Sequence, residues 1–202
     1  MGHMSDSAGR DEAAELLALS DEELGRTMRT AMTDPRQLDP PPTTDKDGNP
    51  LARLDLNRPP PSTDDPLVRL CYALLAELPE HWQKATVDVG AAADEVRMFV
   101  VVRMPGEGHH YRNLHYLPAV AEAAAALRRS MYEAGGRGAW YRAMIQLYRD
   151  GTALPHYHFD EEPFLHWGPG EVELLRRDHE LYPRDSEHLP PWHPVSPTEP
   201  PA

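Results

Sequence analysis

The sequence predicts an α+β fold, an antiparallel sheet of about four strands flanked by helices in the order α-β-β-α-β-β-α. Three observations point there. Runs such as "EVRMFVVVRM" and "YRAMIQLYRD" alternate side chains with the period of a strand. Between them lie apolar stripes at helical spacing with cap residues at their ends. The strands come in pairs joined by the short connections "GAAAD" and "DG", which suit antiparallel neighbours, whereas parallel ones need a long crossover.

In order, the first body helix starts at "DDPLVRLCYALLAELPEHW". Asp65 can cap it and Pro66 fits the first helical position, where a missing N–H costs little. Val68, Cys71, Leu74, Leu75 and Leu78 make its stripe, and Pro79 stops it. "WQKATVDV" and "EVRMFVVVRM" follow as a hairpin around "GAAAD". Val96, Met98, Val100 and Val102 share one face of the second strand and Phe99 and Val101 the other, as in a central strand. A helix then runs from Pro118 to about Ala134, with Val120, Ala124, Leu127 and Met131 inward and Gly135 as its C′ residue. "GAWYRAMIQLYRDGTALPHYHFD" reads as two strands around a DG turn. Trp140, Arg142, Met144, Gln146 and Tyr148 are assigned to one face, and Tyr141, Ala143, Ile145 and Leu147 to the other. "GEVELLRRDHELYP" is the last helix.

The flanks differ in composition. "MGHM" reads as a cloning remnant, which puts the natural start at Met4. Residues 1–33 are helix-prone, with Ser20 and Glu23 spaced as a capping box and Leu24, Met28, Ala31 and Met32 as an apolar stripe. Residues 34–63 are rich in proline and are expected to be an extended linker. The domain spans 64–193, and 194–202 are expected to be a disordered proline-rich tail. Both flanks are expected to contribute little to the folding of the domain.

The 202 residues carry a net charge of -13 and a single cysteine, which excludes an internal disulfide framework. With no secretory h-region and no run long enough to cross a bilayer, the expected compartment is the cytoplasm. The charge is uneven: residues 64–149 hold ten acids and ten bases, whereas 150–202 hold 11 acids and 3 bases. Such a field repels nucleic acid and attracts basic partners.

The stretch "HYHFDEEP" is the strongest hint of chemistry. On a strand His156, His158 and Asp160 share a face, and imidazoles beside carboxylates are first-row metal ligands. With Gly151, Glu162 and Gly168, the two histidines nearly reproduce the first cupin signature, so a metal-dependent cupin-like enzyme using His156, His158 and Glu162 is the alternative reading. A cupin, however, needs a second histidine motif downstream and about eight strands. A metallo-β-lactamase-like HxHxDH fails at residue 161, which is Glu. Cys71 lies on a core stripe, "GGRGAW" lacks a phosphate loop's strand-helix context, and adjacent Glu161 and Glu162 diverge on a strand. No catalytic group, metal or cofactor is therefore expected. Trp192 is expected to clamp the tail onto the body, and Arg184 to pair with a surface carboxylate. An adaptor that docks its proline-rich segment into PPII-binding grooves has no clean motif behind it.

Three phrases in order, "GAWY" (138–141), "FDEEP" (159–163) and "YPRDSEHLPPW" (182–192), resemble the YezG-like immunity proteins found in polymorphic toxin loci of high-GC bacteria. The similarity spans about residues 64–193. The resemblance implies a non-enzymatic protein that binds and neutralises a cognate toxin, a nuclease or an NAD-cleaving enzyme, by occluding its active site. An acidic third suits a basic toxin. Asp160, Glu161, Glu162, Asp178, Glu180, Asp185 and Glu187 are the expected contact region.

Overall fold

The computed structural model describes residues 42–45, 48, 50–56, 63–105, 110–115, 117–166 and 168–196. The chain divides into two compact units, Met1–Pro40 and Pro41–Ala202, and every described residue belongs to the second. The helix expected over 21–32 and residues 197–202 of the expected tail lie outside them.

The elements run β1 (Ala52–Arg53), α1 (Pro66–Glu77), β2 (Lys84–Ala92), β3 (Glu95–Arg103), β4 (Tyr111–Leu114), α2 (Pro118–Ser130), β5 (Arg142–Tyr148), β6 (Thr152–His158) and α3 (Pro169–Leu181), followed by a 3-10 turn at Ser186–His188. The described residues form an α+β fold, with three helices and one antiparallel sheet ordered β1-β6-β5-β2-β3-β4. Among them six strands replace the expected four. The two extra ones are the edges: β1 comes from the proline-rich segment and β4 from the polar stretch after β3. Neither alternates in hydrophobicity. What makes them strands is the backbone, whose N–H and C=O groups find partners on β6 and β3.

Helices α1 and α2 cover one face. Asp65 caps α1 as expected, its Oδ1 accepting from Leu67 N at 2.9 Å and Val68 N at 3.2 Å. Leu70, Cys71 and Leu74 of α1 meet Val120, Ala124 and Leu127 of α2 over Val87, Val89, Val100 and Ile145. Leu54, just past β1, joins this core, tied by its N–H to Gly151 O at 2.8 Å. So the segment read as linker contributes to the domain. Burial pushes the Cys71 thiol up to about 12, which suits a core residue. No helix among the described residues is long and apolar enough to cross a membrane.

Helix α3 and Phe164 cover one end of the other face, packing on Ala92 and Tyr141. Three local expectations change. The β2–β3 turn shrinks to Ala93 and Asp94, because β2 runs on to Ala92 and Ala93 takes φ 53°. The second helix ends at Ser130, where Glu133 and Gly138 pair through two backbone bonds of 3.0 and 3.2 Å and turn the chain. The strand alternation breaks before β5. Trp140 enters the main core and Tyr141 the smaller one, the reverse of the assigned faces, because regular pairing begins only at Arg142. From Arg142 to Tyr148 the assigned faces hold, with Ala143, Ile145 and Leu147 buried.

Candidate functional site

The three phrases "GAWY", "FDEEP" and "YPRDSEHLPPW" meet in space. After α3 the chain turns back as a strap over the end of β6. Arg184, buried, donates from its guanidinium to Phe159 O at 2.8 Å and to Ala139 O, and its plane lies 3.9 Å from the Tyr141 ring. It bonds carbonyls rather than the surface carboxylate expected of it. Gly138 sits directly beneath it at φ +71°; a Cβ there would strike the Arg184 side chain, so glycine is required twice over. Trp192 behaves as the expected clamp: its Nε1–H donates to Asp160 O at 2.6 Å and its ring meets Tyr141 edge-on at 5.0 Å. His193 is buried beside Tyr141 and His179, and burial holds its imidazole down to about 4.

This strap decides what the acidic residues can do. Asp160, Glu161 and Glu162 form an exposed loop, and Asp185 and Glu187 are exposed on the strap. Although 27 positions apart, Asp160 and Glu187 line one groove together with Tyr157, Phe159, Leu189 and Arg137. Glu180 is exposed on α3. Glu161 is engaged within the chain: its carboxylate is 2.7 Å from His158 Nδ1 and 3.5 Å from Arg142, which also holds Asp88 at 2.6 Å. This ladder of alternating charge runs across β6, β5 and β2.

Asp178 does not belong to the contact region. It is wholly buried, 2.9 Å from Arg128, and accepts the N–H of Ala93 at 2.5 Å. Arg128 also donates to Trp140 O at 2.7 Å. The pair fastens α2, α3 and the β2–β3 turn together. Sequence reasoning missed it, although a signal existed: Asp178 lies three residues after Leu175, on the buried side of α3.

The metal alternative loses its geometry. His156 and His158 do lie on one face of β6, but His158 turns to Glu161 rather than Glu162. Among the described residues no group of three or more His, Cys, Asp or Glu side chains is arranged to hold a metal ion. The single sheet with helices on both faces is also not the two-sheet jelly roll that the cupin reading requires. Comparison with protein-family models finds no match, and comparison with curated protein sequences finds no significant match.

Proposed function

We propose that the protein is a non-enzymatic immunity protein that binds a cognate basic toxin domain and blocks its active site. The observation that carries this reading is the joint display of Asp160 and Glu187, brought from two separate phrases to one groove between the end of β6 and the strap bonded to it. Acidic groups fixed on an ordered backbone steer a basic partner and lose little freedom on docking. The toxin's chemistry, nuclease or NAD-cleaving, lies with the partner.

The test is protection. The neighbouring genes are read for a large secreted toxin, and the toxin domain of any found is expressed alone and with the protein. Cells should survive only in the second case, and the two chains should co-purify. Killing unaffected by co-expression, with no complex formed, would sink the reading.

A further inference from the structure

The groove at the end of β6 has an apolar floor as well as an acidic rim. Tyr157, Phe159 and Leu189 are half-buried there, while Asp160 is exposed and the Glu187 side chain is 78 % exposed, with His188 Nε2 3.6 Å away. A guanidinium already rests on this floor: Arg137 Cζ lies 4.1 Å from the Phe159 ring centroid. Its charge is met by Glu133, which holds it through two bonds of 2.6 and 3.0 Å. Arg137 therefore does not neutralise Asp160 and Glu187. Both walls are pinned by main-chain bonds, Arg184 to Phe159 O and Trp192 to Asp160 O, so the groove exists before a partner arrives.

We propose that this groove is the docking site for a basic segment of the toxin, an arginine or lysine seated between Asp160 and Glu187 with an apolar neighbour laid against Phe159 and Leu189. The proposal rests on the immunity reading and names the surface that reading uses. Charge complementarity selects the cation, and half-buried Phe159 and Leu189 beside the carboxylates offer apolar surface to its neighbour.

Two measurements test it. In the first, amide spectra of the full chain are recorded at low salt with acetyl-Arg-Leu-Arg-amide and, separately, acetyl-Glu-Leu-Glu-amide. The basic peptide should shift residues 157–160 and 187–189, and the acidic one should not. Shifts confined to α3 or to the sheet face around Val101 and Met144 would overturn the groove. In the second, binding to an inactive toxin domain is compared for the protein and its D160N/E187Q variant. The substitutions leave both backbone clamps intact, and equal thermal midpoints would show that the fold is kept. The variant should bind about tenfold more weakly. Unaltered binding by it, with binding lost in Val101→Glu at an unchanged thermal midpoint, would move the contact to the sheet face that carries Val101 and overturn the groove while the immunity reading stands. If the wild-type chain neither binds the toxin domain nor protects cells, the reading falls and the docking site with it.

Discussion

Arg128 and Asp178, with side chains 2 % and 1 % exposed, form an ion pair that water hardly reaches. Replacing one partner leaves the other charged and buried. Asp178→Ala is therefore expected to lose about 3–5 kcal/mol in urea unfolding. The double variant Arg128→Met/Asp178→Leu should lose much less, because no uncompensated charge remains. Equal losses for both would mean that the pair contributes as packing only. His193 gives a pH signature. Its folded value of about 4 lies below the ordinary 6.5, so between these values the unfolded chain binds the extra proton. Stability is expected to fall as pH drops from 6.5 toward 4, more steeply in the wild type than in His193→Gln. Parallel slopes would show that the buried imidazole is not the cause. Both sites are formed between residues far apart in sequence. Cys71 could be placed correctly because the periodicity of its own helix puts it on the core-facing stripe; Arg184 could not, because its acceptors are carbonyls 25 and 45 positions away.

At the scale of elements, β1 is two residues long, yet it carries Leu54 into the core. Leu54→Ala is expected to cost about 2–4 kcal/mol, since the cavity left behind adds to the lost burial. A truncation starting at residue 64 should lose at least as much as that point variant. An unchanged thermal midpoint for either would return this segment to the role of a linker. Gly90 in β2 marks a second non-local contact. A Cβ there would strike the carbonyl of Pro163, whose segment begins the turn into α3. Gly90→Val should lower the midpoint and perturb amides 159–164, whereas Thr86→Val on the same face should do neither. The helices were legible because their caps and stripes are local, as Asp65, Cys71 and Leu74 show, although Leu70, buried beside them, was not in the expected stripe. The edge strands were not, because a short strand depends on whether a neighbour offers unpaired backbone groups: β6, which pairs β1, is distant from it in sequence, and β4 follows its partner β3 through a polar stretch with no alternation.

For the whole molecule, the uneven charge makes a kinetic prediction. Association with the toxin domain should slow steeply as salt rises while dissociation changes little, since exposed charges act at long range before docking. Replacing Asp160 and Glu187 by their amides should lower the rate at low salt and flatten its salt dependence. Glu161 is left out because Arg142 and His158 already hold it. A rate and slope like those of the wild type would reduce the acidic third to a solubility device. The acidic bias, the α+β class, the helices and the face pattern from Arg142 to Tyr148 were determined by the sequence alone, since composition and periodicity carry them. The tertiary structure decided that Asp178 is a core anchor, that Glu161 is tied inward, and that Asp160 and Glu187 share a groove. Those outcomes depend on contacts between segments apart in sequence, Arg128 with Asp178, Arg142 with Glu161, and Arg184 with the carbonyls of Ala139 and Phe159, which no local side-chain pattern reveals.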